Sequence, residues 1–477
     1  MNDQETKMTS SAGEKTAAVR GGFLGEAIGF IVFIAMIIIM SVMGIGGSKG
    51  FWAAGVIAVL VSWFTFKDKD VFMEAVKSGM KDNIFVITMI ALLFAGVLSR
   101  EMNVGGLVNG LMWAAAQIHL SSSMLPVMTF LVCVVISTAT GTSSGTVATV
   151  APIMLPLGYQ MGCMTGLMCG AILSGAYFGD NLAPISDTTI ASALTQEAEL
   201  IDVVRSRLKY ALIGGAFAAV MYIIMGIRTT NTLAAQAFKA DPSAASNIVY
   251  IALPILVVIL MLKKWNLLSA LLMGDFAGAV IMLIKKDVTF AGLINGEDGI
   301  ISIGFQNMMG ATILVMFTFI IANIAVKNGF MDRIIEWAHK HAKSARSAEA
   351  IQTVLISVMM LVTGSNTSSI AITGPVVRKI LKPYKIDRCR TANILDCMTA
   401  GIGGIIPQSP ASALVAAQAI SLGIVGSGFT FLSYWMYSYH CLALIAIMIF
   451  AVATGWGRKY EDDEQTADES ENAIVSD

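Results

Sequence analysis

Residues 174–192 read SGAYFGDNLAPISDTTIAS, and this stretch decides how the rest of the chain is interpreted. It begins as an apolar helix of small residues, which is followed closely by two carboxylates, an amide, a proline and several hydroxyls. Pro184 cannot continue a helix, and Gly179 loosens the backbone just before it. Inside a membrane protein, such a break frees backbone carbonyls and helix ends to coordinate an ion or a substrate. We therefore expect this segment to form half of a transport site.

The amino-acid composition is typical of an integral membrane protein. Its 477 residues are 56% hydrophobic and 13% charged, and the mean hydropathy is +0.73. Soluble domains carry about 25% charged residues, whereas spans of about 20 apolar residues, long enough to cross a bilayer, recur here. Apolar spans are predicted at 22–46, 51–66, 83–99, 210–227, 247–262, 265–284, 301–326 and 430–456.

The same sequence excludes several functions. It contains no HExxH, P-loop or nucleophile-elbow motif and only four histidines, so we do not expect an enzyme. A net charge of −1 predicts no nucleic-acid partner. The six scattered cysteines form no CxxC pair and are interpreted as packing residues, so no cofactor is expected.

Two regions, 105–200 and 329–428, repeat one pattern. Each has an amphipathic stretch, an apolar helix ending in a polar knot, a second apolar piece and a helix interrupted by proline. An offset of 223 to 225 residues relates Gly105 to Gly329, Trp113 to Trp337, Pro152 to Pro375, Pro184 to Pro407, and the TSS triplets at 142–144 and 367–369. This constancy predicts an internal repeat of about 220 residues.

The distribution of positive charge predicts that the two repeats are inverted. Residues 102–124 contain no lysine or arginine, whereas the equivalent 327–346 contain five. The bias reverses further on, where the first repeat carries Arg205, Arg207 and Lys209 and the equivalent residues 428–433 of the second carry no charge. Since positive residues favour the cytoplasmic side of a membrane, equivalent segments must lie on opposite sides.

The predicted fold is an all-α polytopic membrane protein of two inverted repeats, with about ten transmembrane helices, two re-entrant hairpins and two interrupted helices. Hairpin tips are expected near 138–146 and 363–369, and helix breaks near 179–187 and 403–410. Cytoplasmic termini and a bacterial inner membrane fit the charge balance and the lack of a cleavable signal. The predicted units are an N-terminal segment at 1–21, repeats at 22–228 and 247–456, a linker at 229–246 and an acidic tail at 457–477.

Each repeat offers a hydroxyl-rich hairpin tip that faces an interrupted helix. Hydroxyl, amide and carboxylate oxygens are hard ligands that suit an alkali cation, although a single hydroxyl can instead bond between helices. The candidates are Thr142, Ser143, Ser144, Asp180, Asn181, Ser186 and Asp187 in the first repeat, and Ser365, Asn366, Thr367, Ser368, Ser369, Gln408 and Ser409 in the second. Na⁺ is assigned to Asp180, Asp187, Thr142, Ser143 and Asn366.

Carboxylates within the apolar segments are the strongest candidates, because an ionisable group at membrane depth is costly and usually functional. Asp180 and Asp187 can converge from two half-helices, one to coordinate the cation and the other to titrate, but Asp187 could instead start a helix. Asp275 and Asp396 also look buried, and each is either a proton relay or a satisfied structural partner. Glu101 lies near a span end and is expected to reach water.

The segment GAYFGDNLAPISDTT at 175–189 resembles the signature of NhaC-type sodium/proton antiporters, in which G-x-x-x-G-D and S-D-T-T patterns recur. The SNTSS knot at 365–369 is similar to hairpin tips of the wider ion transporter superfamily, which includes dicarboxylate/sodium carriers. This second resemblance implies an elevator mechanism and a homodimer. The first implies an ion site near Asp180, Ser186, Asp187 and Thr188.

Two transport activities remain open. The leading prediction is a secondary antiporter that exchanges Na⁺ for H⁺. The alternative is a Na⁺-coupled carrier of a small organic solute, a carboxylate or an amino acid, because residues 405–413 read IIPQSPASA where an NhaC-type protein should carry a Pro-Trp-Asn-like element. A channel fits less well, since its filter needs a continuous ring of ligands. The expected partners are Na⁺, protons, membrane lipid, a second copy of the chain and, for the alternative, the solute.

Overall fold

The computed structural model describes residues 19–43, 51–117, 121–230, 242–426 and 428–461. Three predicted segments fall largely outside this part of the chain, namely the N-terminal segment, the centre of the linker and the acidic tail beyond Glu461. The described residues are mainly helical, with two isolated β-bridges and no strand among them.

The described residues form twenty α-helices. The first ten are α1 Gly22–Val42, α2 Phe51–Thr65, α3 Lys69–Lys81, α4 Asn83–Val104, α5 Leu107–Gln117, α6 Leu125–Thr140, α7 Ser143–Gln160, α8 Thr165–Leu182, α9 Asp187–Gln196 and α10 Leu200–Thr229. The second ten are α11 Ala252–Leu262, α12 Leu267–Lys285, α13 Phe290–Ile294, α14 Ile300–Lys327, α15 Phe330–His341, α16 Ala345–Thr363, α17 Asn366–Leu381, α18 Arg388–Gly403, α19 Pro410–Ser421 and α20 Tyr439–Thr454. Short 3₁₀ helices occupy Ser122–Met124, Pro242–Ile251, Lys382–Tyr384, Phe431–Ser433 and Trp435–Tyr437.

Eight helical segments of the described chain are long and apolar enough to cross a membrane, which makes the protein polytopic. Two predicted spans differ from the structure. The span predicted at 210–227 is part of the longer α10, whose N-terminal end adds Asp202, Arg205, Arg207 and Lys209. The span predicted at 430–456 shortens to α20, because the 3₁₀ helices Phe431–Ser433 and Trp435–Tyr437 occupy its first part.

Two helical hairpins have their tips at the polar knots. Helix α6 ends at Gly141, whose φ of 69° needs the freedom of glycine, and the hydroxyl of Thr142 then caps α7. Helix α16 ends in the same way at Gly364, with φ of 62°, and Ser365 caps α17. Both tips therefore combine a left-handed glycine with a hydroxyl cap.

Two interruptions separate pairs of helices. Residues 183–186 divide α8 from α9, and residues 404–409 divide α18 from α19. Pro184 lies within the first interruption. Gly179, expected to loosen it, is instead helical in α8, where a Cβ would lie 2.5 Å from the Cβ of Ser137. Its role is close packing of α8 against α6.

The helices that follow the interruptions, α9 and α19, each pack against helices of the other repeated region. Helix α9 packs against α17 and α18 of the second region, while α19 packs against α7 of the first. Helix α4 contacts both α7 and α19, and the long α14 lies along α4 and α19. The two hairpin tips and the first interruption consequently lie around one shared space.

Candidate ion-binding site

A cavity of about 170 Å³ lies where the two hairpin tips, the first interruption and α4 come together. Its polar lining is drawn from both regions of the chain. The predicted site residues that line it are Thr142, Ser143, Ser144, Asp180, Asp187, Thr188, Ser365, Asn366 and Thr367. All five residues predicted to hold Na⁺ are in this group, so the chain folds these oxygen-bearing side chains around one space.

Asp180 lies on the last turn of α8 and is 5% exposed. Its Oδ1 accepts a hydrogen bond of 2.7 Å from the hydroxyl of Ser186, which spans the interruption. Ser186 is itself fixed, because its Oγ lies 3.0 Å from the Thr188 hydroxyl and also accepts from the Thr188 backbone N–H. The interruption thus orients a buried carboxylate toward the cavity through one hydroxyl.

Asp187 is the first residue of α9, but it is not the cap of this helix, since Ser186 fills that role. Its exposed carboxylate accepts a hydrogen bond of 3.3 Å from the Thr367 hydroxyl of the second hairpin tip. A carboxylate in the first turn also benefits from the positive end of the helix dipole. Asp187 therefore both starts a helix and presents oxygen to the cavity.

The remaining wall of the cavity is largely apolar. Ile87, Ala91 and Leu92 of α4 face the oxygen-rich side, together with Leu267 and Leu414. Because apolar walls lower the local dielectric, charge interactions inside the cavity are stronger than in water.

Two predicted residues of the second interruption brace the backbone and do not line the cavity. The Ser409 hydroxyl donates to the Gly403 carbonyl over 2.6 Å and accepts from the Tyr177 hydroxyl over 3.3 Å. The Gln408 side-chain amide donates to the Leu361 carbonyl over 2.9 Å, which ties this interruption to the second hairpin.

Three other predicted residues also lie off the lining. The Asn181 carbonyl accepts from Arg207 over 2.5 Å. The Ser368 backbone N–H donates to Ser365 Oγ over 3.4 Å, and the Ser369 hydroxyl lies 2.6 Å from that of Thr363. These contacts hold the first interruption and the second tip in shape.

Arg207 is the principal residue that sequence reasoning missed, because it was counted with its neighbours as a cytoplasmic charge. Its side chain is fully buried and donates to the carboxylate of Asp396, which is also fully buried. It also donates to the Asn393 side-chain oxygen over 3.0 Å and to the Thr189 hydroxyl over 3.1 Å. One guanidinium therefore joins α8, α9, α10 and α18.

A helical pattern could have revealed this burial. Val203, Arg207, Tyr210, Ala211 and Gly214 are all buried on α10 and recur at spacings of four, three, one and three residues, which mark one helix face. The buried Asp396 is its partner through Oδ2, while Asp396 Oδ1 has no hydrogen-bond partner among the described residues, so the choice between relay and structural role stays a prediction.

Asp275 and Glu101 lie away from the cavity. Asp275, on α12, is partly buried and its Oδ1 has no hydrogen-bond partner among the described residues. The prediction that Glu101 reaches water is wrong, because it is 1% exposed and packs onto Gly278 of α12. Tight packing of α4 on α12 at this glycine removes the route to solvent.

A polytopic helical fold that encloses carboxylates and hydroxyls between hairpin tips and a broken helix is the arrangement of a secondary transporter. A family model agrees with this class and extends over nearly the whole sequence. The model of the Na⁺/H⁺ antiporter family matches residues 15–227 and 234–456. The chain belongs to this family.

Individual relatives point the same way. The Na⁺/H⁺ antiporter NhaC of Alkalihalophilus pseudofirmus is 23% identical over 72% of this chain and 78% of its own length. The Na⁺/H⁺ antiporter NhaC of Bacillus subtilis is 24% identical, over 82% of this chain and 90% of its own. The malate-2H⁺/Na⁺-lactate antiporter of B. subtilis is 22% identical, over 82% and 88%. The family and the NhaC relatives support a sodium/proton antiporter.

Proposed function

We propose that this protein exchanges Na⁺ for H⁺ across the membrane and that both cations bind the carboxylates of the central cavity. The observation that carries the proposal is the meeting of Asp180 and Asp187 with two hydroxyl-rich tips in one small space. These are hard oxygen ligands without a soft donor, as an alkali cation prefers.

Exchange follows from competition for the same oxygens. A carboxylate that holds a proton has lost the charge that attracts Na⁺, whereas bound Na⁺ disfavours protonation. Asp180, held by Ser186 at the end of α8, is the central ligand in this scheme. Asp187, in contact with Thr367, connects cation occupancy to the second hairpin. Thr142, Ser143 and Asn366 complete the shell.

We further propose that the protein works as an elevator built from two inverted repeats. The hairpins and both broken helices would move together past α4 and α14. Support comes from the reciprocal packing of α9 on α17 and of α19 on α7. The mainly apolar wall that α4 supplies to the cavity also fits this scheme. Ten crossings, a homodimer, cytoplasmic termini and a bacterial inner membrane belong to the same proposal.

Of the two predicted proton relays, Asp275 is the better candidate. Asp396 is engaged by Arg207, so its charge is matched within the protein. Asp275 forms no ion pair with another described residue and lies within electrostatic reach of the buried Glu101. A proton on one of these two carboxylates would relieve their mutual repulsion in the membrane interior.

The test is Na⁺-driven proton flux in proteoliposomes that contain a lumenal pH dye. A Na⁺ jump should move protons through the wild type, and Asp180→Asn should lower the rate about a hundredfold, the effect of losing about 3 kcal/mol of charge interaction. Asp187→Asn should also impair flux. Glu297→Gln, an exposed acid far along the chain, serves as the control. Normal exchange by Asp180→Asn would refute the proposed site.

A second candidate is the exchange of a small organic acid coupled to Na⁺ and H⁺. The observation in its favour is the similarity to the malate-2H⁺/Na⁺-lactate antiporter across most of the chain. Tyr177, Pro410 and Leu414 of the cavity lining offer contacts to a carbon skeleton. In the same vesicles, this candidate requires proton flux that depends on added malate or lactate. Full flux with Na⁺ alone excludes it.

A further inference from the structure

A second cavity, of about 330 Å³, lies beside the start of α10, the start of α18 and the segment that follows α20. It shares no lining residue with the ion cavity. Its charged lining consists of the cations Arg205, Lys209, Arg390 and Lys459 and of the carboxylates Asp202 and Asp387. The excess of cations suggests an anionic ligand.

The carboxylates of this lining are already engaged. Asp387 accepts from the backbone N–H groups of Cys389 and Arg390, where it caps α18. Asp202 lies 3.7 Å from Arg205 on the same helix. Arg205 therefore has its partner in Asp202, and Lys209 and Lys459 are the lining cations that form no ion pair with another described residue.

Three cations differ in how they are held. Arg390 is 2% exposed and paired with Glu349, so it forms a fixed floor. The ammonium of Lys209 lies over the Tyr210 ring, 4.9 Å from its centroid. Neither Lys209 nor Lys459 forms an ion pair with another described residue. Two ammonium groups that line the same cavity as a buried guanidinium offer donors to several oxygens of one anion.

We propose that this second cavity binds a phosphate group, supplied either by free phosphate or by the headgroup of an anionic lipid. The charge pattern of the sequence assigns the segment around Arg205 to the cytoplasmic side, where the membrane surface is negative and basic pockets between helices collect such headgroups. The cavity is large enough for a phosphate and its first waters.

A short chain of hydrogen bonds connects this cavity to the transport machinery. Asn393 lines the cavity, donates to the Ser206 hydroxyl over 2.7 Å and accepts from Arg207 over 3.0 Å. Arg207 in turn holds the Asn181 carbonyl at the end of α8. A phosphate in this cavity would therefore lie one short chain of hydrogen bonds away from the helix that carries Asp180.

Free phosphate is tested with the full-length protein in an uncharged detergent. Its unfolding temperature is followed as potassium phosphate replaces potassium chloride at constant ionic strength. A saturable rise is expected for the wild type. Lys209→Gln combined with Lys459→Gln should weaken this response at least about tenfold, whereas Lys209→Arg should retain it. Lys67→Gln, at an exposed lysine elsewhere, is the matched control.

The lipid source is tested in nanodiscs without free phosphate, made of phosphatidylcholine alone or with phosphatidylglycerol. Stabilisation by phosphatidylglycerol that the double glutamine variant loses assigns the site to a headgroup, and a response to phosphate alone assigns it to the soluble anion. Equal responses of wild type and double variant in both arms overturn the proposal. A shift that appears only after removal of residues 462–477 would assign these cations to the chain's own acidic end and overturn it as well.

Discussion

The hydroxyl of Thr367 donates a hydrogen bond of 3.3 Å to the carboxylate of Asp187. The two residues are 180 positions apart, one on the second hairpin tip and the other at the start of α9. This contact links the first interruption to the second hairpin tip across the cavity that both residues line. A change at Asp187 should therefore be transmitted to the second hairpin.

Thr367→Val should weaken Na⁺ binding while leaving the fold intact. The valine keeps the shape of the side chain but removes the donor to Asp187 and one oxygen ligand. A net hydrogen bond contributes about 0.5–1.5 kcal/mol, so the Na⁺ concentration at half-maximal flux should rise about 2- to 12-fold. Thr367→Ser keeps the hydroxyl and is the control. Equal Na⁺ dependence of the two variants would contradict the assigned contact.

The ion pair of Arg207 with Asp396 should matter for folding more than for ion binding. Removing one partner leaves an unpaired buried charge, so Arg207→Met and Asp396→Asn should each lower the free energy of unfolding, Arg207→Met by about 3–5 kcal/mol. Arg207→Met combined with Asp396→Leu should cost less than Arg207→Met alone. Denaturant unfolding in detergent measures both effects. An Arg207→Met variant as stable as wild type would show that this pair does not hold the four helices together.

Gly374 of α17 allows α9 to approach closely. A methyl group there would collide with Thr195, and the Gly374 carbonyl also accepts from the Gln196 side chain over 2.8 Å. Gly374→Ala should cost about 1–3 kcal/mol through overpacking and should displace α9, which carries Asp187. Gly296→Ala, at a glycine with open space around it, should change stability by no more than about 0.5 kcal/mol. Comparable unfolding temperatures for the two variants would argue against this packing role.

Local sequence signals predicted the positions of the tips and interruptions well. Gly141 and Gly364 are followed by hydroxyl caps, and Pro184 lies within the first interruption, so these features depend on neighbouring residues. Proline alone does not decide a break, because Pro152 and Pro375 lie inside α7 and α17. The gathering of the five predicted Na⁺ ligands followed from placing tips opposite breaks. Whether the regions are related by inversion, and whether one of them moves, stay predictions.

What the sequence did not reveal depends on contacts between distant segments. In the sequence, Arg207 cannot be distinguished from its exposed neighbours. It is buried only because α10 packs against α18, which carries its partner Asp396. The position of Glu101 near a span end suggests access to water, but Gly278 of α12 packs against its carboxylate and buries it. A charged residue near a span end is therefore ambiguous, since the helix face that it occupies, more than its distance from the end, decides its burial.

The buried hydrogen bond between Ser99 of α4 and Gln418 of α19 should set the balance between transport states. The Ser99 hydroxyl donates to the Gln418 side-chain oxygen over 2.7 Å, and both residues are buried. If the hairpins and broken helices move past α4, this bond exists in one state and must break in the other.

Ser99→Ala leaves a buried oxygen unpaired at a cost of about 1–3 kcal/mol, which shifts the two populations by about 5- to 150-fold. The Na⁺ concentration at half-maximal flux should then change in opposite directions when measured from the two sides of the membrane. Ser62→Ala is the matched control, because that buried hydroxyl donates only to the Ala58 carbonyl of its own helix. Equal, side-independent effects of the two variants would remove the support that this contact gives to movement past α4.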